Sequence, residues 1–371
     1  MSALFTPYAL GPLALRNRIA IAPMCQYSAE DGNATDWHLL HLGHLALSGA
    51  ALLVIEATAV EAIGRITAAD LGLYNDANQA ALAPVLAAIR RHSKIKVAVQ
   101  LAHAGRKASS NVPWQGGQQV APDAPGGWHT AAPSAVPHGP TEVPPQALDA
   151  AGLARVKAAF VQAAQRAHAL GIDAIELHAA HGYLLHQFLS PLANQRTDAY
   201  GGALENRLRF PLEVFDAVRA AVPESMPVGV RISASDWVEG GWDLEQSVVL
   251  GQALAARGCA FMDVSSGGVS PSQKIPLVPG YQVPFAQRIK EACGLPTFAV
   301  GLITEPAQAE EIVASGQADV VALARAVLFD PRWPWHAAAA LGATVEAPEQ
   351  YWRSQPRELK NLFGETTMGG R

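Results

Sequence analysis

Eight short runs of apolar, largely β-branched residues recur along the chain and predict eight β-strands. They cover residues 19–24, 51–57, 96–102, 173–178, 227–233, 261–266, 296–301 and 318–324. The runs are nearly continuous in their hydrophobicity, which is typical of strands buried on both faces of a parallel sheet.

Alanine-rich amphipathic stretches between most of these strands predict helices, at 78–92, 147–170, 205–222, 243–257 and 305–315. Gly171, Gly258 and Gly316 stand where such helices are expected to end. Eight strands alternating with helices predict a (β/α)8 TIM barrel in a single α/β domain, residues 1–371. The alternative is an open doubly wound sheet, which would need a glycine-rich phosphate loop, and neither GxGxxG nor GxxxxGK[ST] occurs.

Three segments lie outside this repeat. "YALGPLALRN" at 8–17 has a Gly-Pro turn between alternating residues and predicts an N-terminal hairpin that plugs the barrel floor. Residues 103–149, after strand three, are rich in Pro, Gly and Trp, and we expect them to form a packed excursion that caps the mouth. The C-terminal tail, 346–371, is expected near the active site or at a subunit interface.

Composition excludes several classes of partner. The 371 residues are 50% hydrophobic, and the net charge of −5 comes without any run of like charge. We therefore expect neither nucleic acid nor an anionic membrane surface as a partner. The apolar region 39–60 is interrupted by His, Gly and Glu residues, so it predicts a helix followed by a strand and no membrane span. The start of the sequence lacks a signal-peptide pattern, and the three cysteines are far apart. Both observations favour a soluble, cytoplasmic protein.

In a TIM barrel, chemistry lies at the carboxyl ends of the strands. Gly301 ends strand seven and Arg325 follows strand eight. Glycine lets backbone N–H groups approach an anion closely, and a guanidinium supplies a permanent forked charge, so the pair predicts a phosphate site. The alternative is that Gly301 forms a turn and Arg325 pairs with a surface acid.

Arg231 interrupts the apolar strand "PVGVRIS". A buried cation needs a negative partner, and the structural alternative is a pair with Glu56 or Glu176. Gln100, on another strand, carries an amide that suits a flat heterocycle with alternating donors and acceptors.

Strand four ends in "ELHAAHGYLL", which places His178, His181 and Tyr183 within six residues. Two converging imidazoles could bind a metal, with His103 as a third ligand, or could donate paired hydrogen bonds to one substrate oxygen. We favour the hydrogen-bond donors and predict no metal. Tyr183 is a candidate proton donor to a carbanion-like carbon.

The chain resembles the old yellow enzyme family of flavin-dependent ene-reductases, and most closely its xenobiotic reductase branch. The similarity runs nearly end to end. Its most specific stretches are "NRIAIAPMCQYSAEDGNATDWH" at 17–38, "ELHAAHGYLLHQFLSPLANQRTDAYGGALENRLRF" at 176–210 and "ARAVLFDPRWPW" at 324–335.

This resemblance implies non-covalent FMN, reduced by NADPH or NADH. The residues that it places around the flavin are Pro23, Met24, Cys25, Ala57, Gln100, Arg231, Gly301, Ala324 and Arg325. Arg231 would stabilise the anionic reduced ring near N1, Arg325 would pair with the phosphate, and Cys25 would lie near N5 and tune the potential. The alternative for Cys25 is a small apolar filler.

The resemblance also implies reduction of C=C bonds activated by carbonyl or nitro groups. His178 and His181 would grip the substrate oxygen, hydride would pass from flavin N5 to the β-carbon, and Tyr183 would protonate the α-carbon. The further substrate-binding residues that it implies are Tyr27, Trp352 and Arg353, the last of these reaching into a neighbouring subunit. The expected substrates are enones, maleimides, nitro compounds and quinones, and the expected assembly is a homodimer or homotetramer.

One position departs from the family pattern. Ala324 precedes Arg325 where the family usually has glycine. An alanine with positive φ would strain a phosphate loop, so we expect a negative φ at Ala324 and retention of FMN. Two other functions remain as alternatives: a metal-dependent TIM-barrel hydrolase that uses His178, His181 and His103, and a non-catalytic flavin redox sensor that reports through Cys25.

Overall fold

Eight parallel strands close into a barrel in a computed structural model that describes residues 2–364 and residue 366. The strands in chain order are β1 (Tyr8–Leu10), β2 (Leu13–Leu15), β3 (Ile19–Ile21), β4 (Leu52–Ala59), β5 (Lys96–Ala102), β6 (Ala131–Ala132), β7 (Gln146–Ala147), β8 (Ala174–Ala179), β9 (Val228–Ser233), β10 (Met262–Ser265), β11 (Thr297–Ala299) and β12 (Val320–Leu323). The barrel runs β3-β4-β5-β8-β9-β10-β11-β12, and β12 pairs back onto β3. The predicted (β/α)8 barrel and its eight strands are confirmed.

Helices follow the barrel strands as the sequence pattern predicts. They are α1 (Asp36–Ala46), α2 (Asp76–His92), α3 (Ala150–Ala169), α4 (Leu184–Leu189), α5 (Leu204–Ala221), α6 (Leu244–Ala255), α7 (Val283–Cys293), α8 (Pro306–Ala314), α9 (Arg325–Phe329) and α10 (Trp333–Ala340). Asn75, Asp149 and Asp243 cap α2, α3 and α6 by accepting backbone N–H groups of the first turn. None of the helices within the described residues is both long and apolar enough to cross a membrane.

The barrel floor is apolar. The hairpin β1–β2 contributes Leu10, Leu13 and Leu15 to a buried cluster that includes Phe261 and Phe298, whose rings stack with centroids 4.8 Å apart. Removing these large side chains from water stabilises the lower end of the barrel. The predicted N-terminal hairpin is therefore present and packs against residues inside the barrel.

A layer of polar side chains lies toward the other end of the barrel. It comes from four adjacent strands and so occupies half of the barrel's circumference. Gln100 on β5 is aligned with Glu176 on β8, and Arg231 on β9 is aligned with Asp263 on β10. The other four strands contribute small or β-branched apolar residues to the interior, namely Ala20, Ala22, Val54, Val300, Val320 and Ala322. The mouth therefore has one polar side and one small, apolar side.

The excursion 103–149 is packed onto the barrel. It contains two 3-10 turns, Gly105–Lys107 and Pro113–Gln115, and the short β6–β7 pair. The indole of Trp128 donates a hydrogen bond to the carbonyl oxygen of Ile63 at 3.0 Å. Together with Tyr27, residues of the excursion line a cavity of about 210 Å³.

The C-terminal tail lies elsewhere. A 3-10 helix, Glu349–Ser354, holds Trp352, whose indole donates to the carbonyl oxygen of Ala347 and packs near Phe363. Trp352 shares a surface depression with residues 90–94, which lead into the start of β5 and so mark the end of the barrel opposite the mouth. Trp352 thus lies away from the mouth of its own barrel, and its expected role in substrate binding stays a prediction. A position at a subunit interface stays a prediction, as does the assignment of 1–371 to one domain. Residues 365 and 367–371 of the predicted tail lie outside the described residues.

Candidate active site

Three aromatic side chains converge where β8 ends. The rings of His178 and His181 meet edge to face with centroids 5.1 Å apart, and those of His178 and Tyr183 with centroids 4.9 Å apart. His178 is on the strand, His181 is in the following turn, and Tyr183 is the N-cap residue of α4. The sequence places these residues close together, and the turn brings their rings into contact.

Both histidines are neutral at neutral pH. Burial and the charge of Arg231 lower the pKa of His178 and of His181 well below the usual imidazole value. The backbone N–H of Ala180 donates to Nδ1 of His178 at 3.3 Å, so the ring proton of neutral His178 is on Nε2. Nε2 of His181 shares a hydrogen bond of 2.8 Å with Oγ of Ser265.

The Tyr183 phenol keeps its proton. Burial raises its pKa well above the usual tyrosine value, and the negative charges that Cys25, Tyr27 and Asp70 would carry raise it further. A phenol that remains protonated throughout the physiological range can donate a proton to a strong base.

A lysine that sequence reasoning missed holds the turn after β8. Lys107 Nζ donates to the backbone oxygens of His181 and Gly268, at 2.9 and 3.0 Å, and lies 5.2 Å from the centroid of the Tyr183 ring. His181 has a φ of 56°, which is unusual for a residue with a side chain. Burial and the neighbouring charge of Arg106 lower the pKa of Lys107 to about 8. The sequence signal that could have indicated this role is "GRK" at 105–107, which comes shortly after a barrel strand.

Two glycines that lie against each other in space, Gly182 and Gly268, have no room for a side chain. A Cβ atom on Gly268 would lie 2.5 Å from the Cα of His181, and one on Gly182 would lie 2.2 Å from the backbone oxygen of Gly268. The backbones after β8 and β10 therefore touch directly, which fixes His181 relative to Ser265.

Arg231 is buried, and the carboxylate that pairs with it is neither of the two that the sequence suggested. Its Nε lies 3.2 Å from Oδ2 of Asp263, whereas the sequence suggested Glu56 or Glu176 as structural partners. Glu176 instead accepts a hydrogen bond of 2.7 Å from the amide of Gln100. Glu56 accepts from the backbone N–H of Gln26 at 2.8 Å.

Pro23, Met24 and Cys25 follow β3 and are partly exposed. Burial and the negative charges of Asp70 and Glu56 raise the pKa of the Cys25 thiol, which therefore stays protonated. Tyr27 has a φ of 50°, and its ring meets the edge of Trp114 with centroids 5.8 Å apart.

The ends of β11 and β12 differ in backbone conformation. Gly301 has a φ of 112°, and a Cβ atom there would lie 2.5 Å from Nε2 of Gln282. Ala324 has a φ of −112°, so the expected negative φ is confirmed and alanine is not strained there. Arg325 is the first residue of α9 and is exposed.

These residues fit FMN. The interior between β11 and β4 is small and apolar, as a planar ring system requires, whereas Gln100 and Arg231 offer polar groups on the opposite side. Nε of Arg231 has no well-directed hydrogen bond among the described residues.

A metal centre is not supported. Within the described residues no group of three or more His, Cys, Asp or Glu side chains is arranged to hold a metal ion. His103, the proposed third ligand, uses both ring nitrogens: Nε2 bonds Glu61 at 2.9 Å, and Nδ1 accepts the N–H of Gly105 at 2.9 Å. His103 therefore belongs to a different hydrogen-bond network from His178 and His181.

Comparisons with known proteins show the family to which the chain belongs. The NADH:flavin oxidoreductase / NADH oxidase family model matches residues 3–343. An NADPH dehydrogenase of Geobacillus sp. (strain WCH70) is 42% identical over 352 residues, which are 94% of this chain and 98% of that protein. The structure of morphinone reductase is similar with a TM-score of 0.75 and 29% identity, over 93% of this chain and 91% of that one. A 2-naphthoyl-CoA reductase structure has a TM-score of 0.81 and 25% identity over 92% of this chain, which spans 52% of that longer chain. The chain belongs to the NADH:flavin oxidoreductase / NADH oxidase family, within its old yellow enzyme group, and is an oxidoreductase whose cofactors are FMN and NAD(P)H.

Proposed function

We propose that this oxidoreductase is an ene-reductase that reduces C=C bonds activated by a carbonyl or nitro group. The observation that carries the proposal is the cluster of two neutral imidazoles and one protonated phenol, with centroids about 5 Å apart, at the mouth of the barrel. FMN, once reduced by NAD(P)H, supplies the hydride.

His178 and His181 bind the oxygen of the activating group. His178 carries its proton on Nε2, and His181 carries its proton on Nδ1 when Ser265 donates its hydroxyl hydrogen to Nε2. Each imidazole then has one N–H to donate to the same oxygen. Negative charge that develops on that oxygen is stabilised by donors already oriented in a buried site, which is the most effective form of electrostatic stabilisation.

Tyr183 delivers the proton to the α-carbon. Its pKa is raised, so the phenol remains protonated until a basic carbon is generated next to it. Lys107, near the face of the phenol ring, would stabilise the phenolate that remains after the transfer.

The residues around FMN have distinct roles in this proposal. Arg231 would meet the pyrimidine edge of the flavin, Arg325 would pair with the phosphate, and Cys25 would lie near N5 and tune the potential. The other residues that would line the flavin are Pro23, Met24, Ala57, Gln100, Gly301 and Ala324. The burial of Arg231 and the lack of a well-directed hydrogen bond to its Nε among the described residues support this arrangement. Morphinone reductase has been solved in complex with tetrahydroNAD, which supports a nicotinamide nucleotide as the reductant here.

The substrate side is formed by Tyr27 together with the two histidines and Tyr183. The proposed substrates are enones, maleimides, nitro compounds and quinones, because each presents one oxygen conjugated to a reducible bond. In a cytoplasmic homodimer or homotetramer, Trp352 and Arg353 would contribute to a neighbouring subunit's site, since the 3-10 helix that carries both places Trp352 away from the mouth of its own barrel.

An absorbance spectrum of the purified protein, followed by anaerobic NADPH and then 2-cyclohexenone, tests the proposal. We expect flavin bands that bleach with NADPH and return with the enone, and steady NADPH oxidation that the enone stimulates. Bleaching with no response to enone, maleimide, nitroalkene or quinone would favour the redox sensor. A colourless protein that does not take up FMN would contradict the flavin site itself.

A further inference from the structure

Two carboxyl groups share one cation inside the barrel. Glu176 is fully buried, Asp263 is 1% exposed, and Arg231 is 6% exposed. One guanidinium balances one carboxylate, and a second ionised carboxyl without a partner would cost several kcal/mol at this depth. One of the two carboxyls is therefore neutral at neutral pH.

The carboxyl groups of Glu176 and Asp263 each have one oxygen without a hydrogen bond. The amide of Gln100 donates to Oε1 of Glu176, while Oε2 of Glu176 and Oδ1 of Asp263 have no hydrogen-bond partner among the residues that the structure describes. Arg231 lies next to Asp263, which makes Asp263 the ionised member. Glu176 is then the carboxyl that holds the proton.

The groups that face Glu176 come from all the elements packed around it. β5 presents the neutral amide of Gln100, β9 presents Arg231, and β10 presents Asp263; His178 lies two residues further along β8 and is neutral. Across the barrel, β3, β4 and β12 and the end of β11 contribute the apolar residues Ala20, Val54, Val320 and Val300. Burial and the charge of Asp263 raise the pKa of Glu176 to about 8, against the opposing effect of Arg231.

We propose that Glu176 is a proton store for the flavin site above neutral pH, where its carboxyl group is ionised in the oxidised enzyme: the carboxylate takes up a proton from water when FMN is reduced and releases it when FMN is reoxidised. This inference rests on the proposed function, because it requires the flavin to meet Arg231. The hydride brings two electrons and one proton from NAD(P)H to the flavin and leaves the anionic reduced ring with one additional negative charge. A solvent proton on Glu176 offsets that charge, and it leaves again when the hydride passes to the substrate.

The direction of the pH effect follows from the charges. An added negative charge near Arg231 raises the pKa of Glu176 further. Near pH 6 Glu176 is protonated in both redox states, so reduction takes up no proton. Near pH 9 it is largely ionised before reduction and protonated afterwards, so uptake approaches about one proton per flavin.

Proton uptake can be measured directly on the holoenzyme. Anaerobic reduction by NADPH to the anionic reduced flavin consumes no solvent proton by itself, so a pH indicator in weakly buffered solution reports the response of the protein. We expect uptake near pH 9 and none near pH 6 for the wild type, and none at either pH for Glu176→Gln, which retains an acceptor for the Gln100 amide. Glu213→Gln, which removes a surface carboxyl paired with Lys157 at 3.2 Å, should match the wild type.

Asp263→Asn gives a second, independent test. With one carboxyl left beside Arg231, the pKa of Glu176 should fall and the uptake should move to lower pH. Equal uptake by the wild type and Glu176→Gln, or an uptake window unchanged by Asp263→Asn, overturns the proton store while leaving the proposed function intact. A wild-type protein that binds no flavin, visible in its absorbance before NADPH is added, overturns both.

Discussion

Lys107 donates a hydrogen bond to the backbone oxygen of His181 at 2.9 Å, and His181 adopts a left-handed backbone conformation with a φ of 56°. Such a conformation costs a non-glycine residue roughly 1–2 kcal/mol, so it persists where neighbouring contacts hold it. Lys107 provides such a contact, and with it the orientation of the imidazole that we propose binds the substrate oxygen.

Replacing Lys107 with Met removes the ammonium group and keeps a long apolar stem. Because hydrogen bonds to charged groups contribute about 1.5–3 kcal/mol, we expect affinity for phenolic ligands to fall at least tenfold while FMN content is unchanged. Titration of the flavin spectrum with a phenol measures this affinity. Lys157→Met is the matched surface control, and equal affinities in the two variants would exclude a positioning role for Lys107.

Replacing Tyr183 with Phe removes the proton donor and keeps the ring that meets His178. General acid catalysis contributes on the order of 10²–10⁴-fold, so reoxidation of the reduced enzyme by 2-cyclohexenone should slow by at least 100-fold. Reduction of the flavin by NADPH should keep its rate, since that step uses no proton from Tyr183. Stopped-flow absorbance separates the two half-reactions, and an equal loss in both would refute the assignment.

The affinity for a neutral enone should not change as the pH falls from about 7 to about 6, an interval over which Lys107, with a pKa of about 8, stays charged. The pKa values of His178 and His181 lie well below the ordinary value of 6.5, so both imidazoles stay neutral over this interval and their donor pattern is preserved. Equilibrium binding to the oxidised enzyme, followed by the flavin spectrum, reports this. His178→Ala combined with His181→Ala should abolish binding at every pH in the series, and a rise in affinity toward pH 6 would indicate charged imidazoles.

Gly301→Ala should weaken FMN binding. A Cβ atom there would lie 2.5 Å from Nε2 of Gln282, and the φ of 112° is unfavourable for alanine. Gly316→Ala is a matched control, because Gly316 also has a positive φ, of 78°, but a Cβ atom there meets nothing within 4 Å. Both variants should lose about 1 kcal/mol or more of unfolding free energy, while Gly301→Ala alone should lose flavin on dialysis.

Ala324→Gly restores the residue that is usual in the family and should bring no gain in flavin affinity. The φ of −112° at Ala324 is open to any residue, so glycine relieves no strain and adds freedom to the unfolded chain. We expect the unfolding free energy to fall by up to about 1 kcal/mol and the FMN dissociation constant to stay within about twofold. Much tighter binding by the glycine variant would show that Ala324 limits the phosphate loop.

The barrel and much of its mouth could be predicted from local pattern. The strands are recognisable because burial on both faces gives each one a continuous apolar run, and the glycines at 171, 258 and 316 mark helix ends because their left-handed φ suits glycine. His178, His181 and Tyr183 could be placed together because one turn of chain connects them.

Partners that meet from distant segments could not be predicted in the same way. Glu56 was a plausible partner for Arg231, yet a bulge between Ile55 and Ala57 sets it outside the regular alternation of β4, and it bonds Gln26 instead. Lys107 and Asp263 acquire their roles because the folded chain brings segments far apart in sequence together. Nζ of Lys107 lies 2.9 Å from the backbone oxygen of His181, and Oδ2 of Asp263 lies 3.2 Å from Nε of Arg231.

The sequence by itself therefore determined the order of the strands, the hairpin and the aromatic cluster at the end of β8, since each depends on residues close together in the chain. The tertiary structure decided which acid faces Arg231, which amine holds His181, and that Trp352 lies at the far end of its own barrel. Those outcomes depend on the register between strands and on the path of the long connections, which side-chain patterns along a single segment do not specify.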